Sequence, residues 1–241
     1  MIRGMMASTV KDMFPPKGTS VASIQTFITH CLYPRCRLSP EDATYCVHFV
    51  MTLHTMKTPG FSTMHFIDEF VKILSGSLFS STEDEAAAFG ILLLELWKVV
   101  SKWRYDEKAF KDEVEGTPGS VFVKEDGPVP ISFEEYKSLY STWHATIGQA
   151  TIGCLDSTEY MHVRSCFVIL SRIVDAFPTQ PKLGQKLLNA LEPLQDETYP
   201  LPDIMTAAQA YGTLLIKART NGVWKEEDAA TIKAREEKEM A

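Results

Sequence analysis

Apolar residues recur three and four apart from Val21 almost to Thr220, and the polar punctuation between them divides the chain into helices. The sharpest start is Ser39-Pro40-Glu41-Asp42, an N-cap side chain followed by a first-position proline and two acids that complement the helix dipole. Behind it, Tyr45, Phe49, Leu53 and Met56 recur at helical spacing and predict a stripe buried against neighbours, ended by Thr58-Pro59-Gly60. Pro34 and Pro40 disfavour helix at the residues before them. Tyr33 to Ser39 is therefore read as a short extended or turn connection, following a helix over about Val21 to Cys31.

The next helix is expected from Ser62 or Thr63 to Phe79, with Phe66, Phe70, Ile73 and Leu74 on one face. Thr82 and Glu85 form a capping-box pattern and open a helix to about Arg104, apolar round most of its circumference between Phe89 and Val100, as befits a central packed element. A short polar helix follows over Tyr105 to Val114. The clearest loop is Glu115 to Pro130, with three prolines and three glycines; within it Val121, Phe122 and Val123 form a short strand or dock on the helices. Ser132 and Glu135 repeat the capping box and turn Phe133, Tyr136, Leu139, Tyr140 and Trp143 inward. Further helices are expected over Ser157 to Ala176, Pro181 to Leu194 and Asp203 to Thr220, then a charged stretch from Glu226 to Met240.

These elements predict an all-α fold: an elongated, antiparallel, helical-repeat-like (α-solenoid) domain of about nine to ten helices, without a fixed sequence period. The domain is expected over residues 19–224, with a mobile N-terminal segment at 1–18, a variable loop at 115–131 and a charged helix or disordered tail at 225–241.

Composition narrows the function classes. With 45% hydrophobic and 23% charged residues the chain has the make-up of an ordinary soluble globular protein, and its most apolar run, Ala86 to Val100, is too short for a membrane span and carries Glu95 and Lys98. Five cysteines at irregular spacing, with no secretory leader, suggest free thiols in a reducing compartment. The net charge of -7 argues against a dominant nucleic-acid surface, because phosphate binding needs a clustered basic face.

His30, Cys31, Cys36, Cys46, His48 and His54 invite a zinc reading, but they lack paired-ligand spacing, and His48 lies on the far side of the helix from the inward stripe. A Cys-His hydrolase built on Cys31, Cys36 or Cys46 lacks every accompanying motif, and Glu159 with His162 fits packing better than acid-base work. No catalytic residue, metal, cofactor or small-molecule substrate is predicted. Arg35 and Arg37 stand out instead, on a proline-bounded connection from which a guanidinium clamps carbonyls of the preceding helix or meets a partner's carboxylate or a phosphate. Lys98, Lys102, Arg104 and Lys108 form a basic run that is either a solvated helix end or an RNA contact. Trp97, Trp103 and Trp143 lie in apolar stripes, whereas Trp224 either closes the domain end or anchors a partner.

The run CLYPRCRLSPEDATYCVHFVMTLHTMKTPGFST, Cys31 to Thr63, resembles the C-terminal part of the THO complex subunit 2 family, which carries C-x-F-P-R-C-x-x-S-x-x-D-A-x-Y-C, then F-V, L-H and K-T-P-x-F-S-T; Tyr33 replaces the usual Phe. Trp143-His144, CLDSTEYMHVR from Cys154 to Arg164, Phe177-Pro178 and Leu183-Gly184-Gln185 extend the resemblance, which spans roughly Cys31 to Trp224. The family's full-length members are much longer, so the resemblance implies a fragment or a reduced relative. It also implies a non-catalytic scaffold of the nuclear THO/TREX assembly, in contact with other THO subunits and a DEAD-box RNA helicase, with mRNA held indirectly and mRNA export as the outcome. A direct RNA-binding helical module, using Arg35, Arg37 and the run from Lys98 to Lys108, is the alternative.

Overall fold

Helices begin in the structure where the sequence caps them. The hydroxyls of Ser39 and Ser62 accept from the Asp42 and His65 N–H groups, and Thr82 with Glu85 and Ser132 with Glu135 each close a full capping box. The computed structural model describes residues 10, 13–14, 21–124 and 127–225. Helix α1 runs over Val21–Phe27, through a π-turn at Ile28–Leu32, into Tyr33–Cys36. It is followed by α2 (Pro40–Thr55), α3 (Thr63–Ser77), α4 (Glu83–Tyr105) and α5 (Glu107–Glu113). A hairpin of β1 (Val121–Lys124) and β2 (Gly127–Pro130) precedes α6 (Phe133–Leu155), α7 (Tyr160–Ile173), α8 (Pro181–Leu191) and α9 (Pro202–Thr220).

The packing is a stack of helix pairs in two rows. In one row α1 packs on α3, α3 on α6 and α6 on α8; in the other α2 packs on α4, α4 on α7 and α7 on α9. Rungs join α1 to α2, α6 to α7 and α8 to α9, so the all-α, helical-repeat reading holds although no period shows in the sequence. The turns within pairs, at 37–39, 78–82, 156–159 and 192–201, gather along one edge. The connections between pairs, at 56–62, 106–132 and 174–180, gather along the other. The antiparallel hairpin, with Val121 opposite Pro130 and Lys124 opposite Gly127, belongs to this second edge and packs on α3.

Helix α4 sits deepest, as its all-round apolar pattern predicts: Phe89, Leu92, Leu93, Leu96, Trp97, Val100 and Trp103 are all buried. It meets α7 at Gly90, where a Cβ would come within 2.8 Å of Arg172 Cβ and 3.4 Å of Ile169 Cα, so only glycine allows that approach. Across to the other row, the Tyr136 hydroxyl donates to the Val100 carbonyl at 2.7 Å, and the Trp143 indole donates to buried Asp68 at 2.9 Å.

Two expectations are corrected. Tyr33 to Cys36 is helical, not extended: Pro34 has no N–H to give, and the turn before it widens so that the Tyr33 N–H reaches the Ile28 carbonyl five residues back. The buried stripe of α2 is Ala43, Cys46, Val47, Val50, Leu53 and His54, whereas Tyr45 is 49% exposed and Phe49 and Met56 are half-buried. Small side chains allow α2 and α4 to pack closely, and the larger rings turn to the side. Phe14 is buried against Phe27 and Phe61; the rest of the expected N-terminal segment, except Val10 and Met13, and the stretch from Glu226 to Met240 lie outside the described residues.

The Gly90 contact yields a paired test. Gly90→Ala should lower the unfolding free energy by about 1–3 kcal/mol through overpacking, whereas Gly76→Ala, at an exposed position with nothing within 4 Å of the new Cβ, should raise it by up to about 1 kcal/mol. Urea denaturation of the two variants reads both signs.

Candidate partner-binding edge

The edge of within-pair turns is built from the helix starts. Each helix of the second row opens with acids or follows them: Glu41 and Asp42 in α2, Glu83, Asp84 and Glu85 in α4, Asp156 and Glu159 before α7, and Asp203 in α9. Singly, each favours its own helix dipole. The stack places them side by side.

Cross-helix bonds tie this edge into a ladder. Arg35 bonds Asp42 at 2.9 Å while its guanidinium lies 4.3 Å from the Tyr45 ring centroid. Arg37 clasps Glu85, with Nε at 3.0 Å, and so ties the first connection to the start of α4. Arg164 of α7 reaches Glu83 at 3.2 Å, and the Tyr160 hydroxyl donates to Asp203 of α9 at 2.6 Å. Ser165 donates to the Ser81 carbonyl at 2.9 Å, and Phe79 meets the His162 ring at 5.7 Å. Burial acts to raise Glu85, but the Thr82 N–H and Arg37 outweigh it and hold the carboxyl below its usual range. The Tyr160 hydrogen bond likewise holds Asp203 low. Both therefore stay ionised at neutral pH.

Charge is concentrated here. Over residues 35–42, 78–85, 156–164 and 192–203 there are eleven carboxylates and three guanidiniums, a net of -8, against -7 for the whole chain. Helix dipoles do not offset this, because four N-termini and four C-termini meet at the edge and cancel. Apolar side chains stand among the acids: Leu38 is 73% exposed, Met161 43%, Phe79 41% and Tyr160 38%.

The opposite edge carries His54 and His144, which work as fasteners. His54 lies against Trp103, its Nδ1 2.8 Å from Thr63 Oγ1 and its Nε2 3.1 Å from the Glu113 carbonyl, which joins α2, α3 and α5. His144 Nε2 accepts from the Thr179 N–H at 3.0 Å and the Gln180 N–H at 3.4 Å, satisfying donors at the start of α8, with the Phe177 ring 4.7 Å away. Thus Trp143 and His144, adjacent in sequence, bind two different neighbours.

The residues singled out in the sequence are dispersed. Arg35 and Arg37 both lie on the acidic edge, at its first rungs. Trp224 lies at the far end of the stack, half-buried, its ring over Gly184 and the Arg219 guanidinium 5.3 Å from its centroid. Lys98 pairs with Glu95 at 2.7 Å and Lys102 with Glu113, while Lys108 is exposed. Arg104 is buried, 5.1 Å from the Tyr105 ring, so these four cations do not share one solvent face. Burial pushes the Cys36 thiol up to about 12 and Cys46 up to about 11, leaving both protonated and unreactive, and no three His, Cys, Asp or Glu side chains converge for a metal among the described residues. His162 Nδ1 lies 2.8 Å from the Ser157 hydroxyl, a local contact at the start of α7. The sequence shows Glu85 only as a cap and Tyr160 only in a packing segment, and it does not single out Glu83 and Asp203; acid-rich helix starts are their signal, and only the stack brings them together.

The chain matches the family model described as transcription factor/nuclear export subunit protein 2 (Tho2) over residues 1–215. It is 30% identical over 203 residues to THO complex subunit 2 of Homo sapiens, covering 81% of this chain and 13% of that protein. The Arabidopsis thaliana protein of the same name is 29% identical, with 83% and 11% covered, and the Saccharomyces cerevisiae one 24% identical over 170 residues, with 70% and 9% covered. The chain thus spans a small fraction of the length of the curated relatives it matches.

Linkage at His144 gives a test of the fastener role. Burial lowers its folded-state pKa to about 3 from an ordinary 6.5, so the unfolded chain takes up the proton first. The stability it contributes is full above pH 6.5 and declines as pH falls from there towards 3. Between pH 6.5 and 5 the loss should reach about 2 kcal/mol by urea denaturation; His144→Gln, whose amide oxygen still accepts, should lose correspondingly less over the same interval. Equal losses would contradict the assignment.

Proposed function

The chain belongs to the THO complex subunit 2 family, and on that premise we propose that it is a non-catalytic scaffold subunit of the nuclear THO assembly, working in mRNA export by positioning other proteins. Its partners are other THO subunits and a DEAD-box RNA helicase, with mRNA held indirectly. The mechanism is preferential binding of one arrangement of the partners, which shifts their population towards it. The family match over most of the chain carries this reading. Fixed geometry supports it: a stack whose pairs are fastened at both edges holds its surfaces at constant spacing.

Within this reading Arg35 and Arg37 act at the partner face, either directly or by holding its acids in place, and Trp224 secures the last helix pair or offers an anchor there. The alternative, direct RNA binding, is less well supported. Arg104 is buried, Lys98 and Lys102 are paired with acids, and the most charged surface has the sign of RNA itself.

Two measurements separate the readings. Affinity purification of the full chain from nuclear extract should recover other THO subunits and the helicase, and the isolated chain should bind single-stranded RNA no more tightly than about 10 µM near physiological salt. Submicromolar RNA binding with a steep salt slope, abolished by Lys98→Glu/Lys102→Glu/Lys108→Glu, would instead establish the RNA-binding module.

A further inference from the structure

The reading as an assembly subunit leaves open what kind of surface the partner presents. Three features of the acidic edge bear on this. First, its net charge of -8 exceeds that of the whole chain, so all other residues together sum to about +1. Secondly, its three cations are occupied: Arg35 with Asp42, Arg37 with Glu85 and Arg164 with Glu83. Glu41, Asp84, Asp156, Glu159, Glu192 and Glu197 remain exposed along the strip. Thirdly, Leu38, Phe79, Tyr160 and Met161 stand out of the acid field. Acids at helix starts have a local use at the dipole, and Tyr160 and Phe79 have one in their contacts with Asp203 and His162, but no such use explains Leu38 and Met161, 73% and 43% exposed beside them.

We propose that this edge is a docking face for a Lys/Arg-rich protein segment that also carries apolar anchors. The cations would lie over the free carboxylates and the anchors between Leu38, Phe79, Tyr160 and Met161. This proposal deepens the reading of the chain as a non-catalytic subunit and rests on it. Charge complementarity selects the occupant. A second copy would set the same acids against each other, and a nucleic acid would be repelled. The cross-helix pairs give the strip its rigidity, so little ordering is lost on its side when a segment binds.

The test uses the intact chain and two fluorescein-labelled probes, an amphipathic Lys/Leu peptide and a Lys-only peptide. The Lys/Leu probe should bind the wild-type chain, and more weakly as salt rises from about 50 to about 200 mM. Asp84→Asn/Glu159→Gln/Glu197→Gln should weaken both probes about tenfold or more, while the same charge change on the opposite edge, Asp112→Asn/Glu115→Gln/Asp175→Asn, should alter neither by more than about twofold. Met161→Ser/Leu38→Ser should weaken the Lys/Leu probe alone, with circular dichroism melts confirming that every variant folds. Equal weakening by the two charge sets, no effect of the apolar variants, or no binding by the wild type would overturn the proposal. Co-purification of the wild-type chain with THO subunits is scored in parallel. If it fails, the subunit reading falls and takes the proposal with it; if it succeeds while the peptide pattern fails, the proposal alone falls.

Discussion

Burial of α4 between α2 and α7, against the face offered by α6, is the contact on which the rest of the structure depends. No pair of helices here covers its own apolar faces, so each must be covered by the next pair, and α4 is where this requirement is strictest. Trp97 is enclosed by Tyr140, His144 and Phe177, and Trp103 by His54 and Tyr136. Gly90 lets α7 close over the far side. Once α4 is fixed, its two ends define two edges, and each connection between the described helices falls on one or the other.

The two edges have different chemistry. The between-pair edge is fastened largely by buried or half-buried neutral groups, to which Glu113 adds a carboxylate that accepts from Lys102 and the Trp103 indole. The neutral groups are His54, His144, the Tyr140 hydroxyl shared with Thr179 and Ser101, and the Ser62 hydroxyl on the Val121 carbonyl. Such bonds, made away from water, hold one geometry. Beside the Tyr160–Asp203 hydrogen bond and one buried bond from Ser165 to the Ser81 carbonyl, the within-pair edge is fastened chiefly by exposed ion pairs, each worth only about 0.2–1 kcal/mol. These contribute little stability singly, yet they leave a field of one sign on the surface, which buried hydrogen bonds cannot do. The division of labour is thus between an edge that sets the geometry and one that carries the charge.

Much of the fold was legible because helix caps are local. Ser39, Ser62, Thr82 and Ser132 each announce a start within four residues, and all four start helices. Errors arose where local rules meet a neighbour. Pro34 ends most helices, but here a π-turn absorbs its missing N–H; Tyr45 has the right spacing for a core residue, but small side chains face α4 instead. The family-like motifs proved to be largely fasteners: His54, Thr63, Trp143, His144 and Tyr160 bind across elements. The acidic edge was the least legible part, because its carboxylates come from four segments up to about 160 residues apart and join only through the stack.

The central claim is that the within-pair edge meets a partner and the between-pair edge does not. Hydrogen exchange of the full chain, alone and within the purified THO assembly, tests it most directly. Residues 37–42, 79–85, 157–161 and 195–203 should gain protection in the assembly, with residues 56–62 and 174–180 unchanged. Protection confined to the second set, or absent from both, would contradict the account.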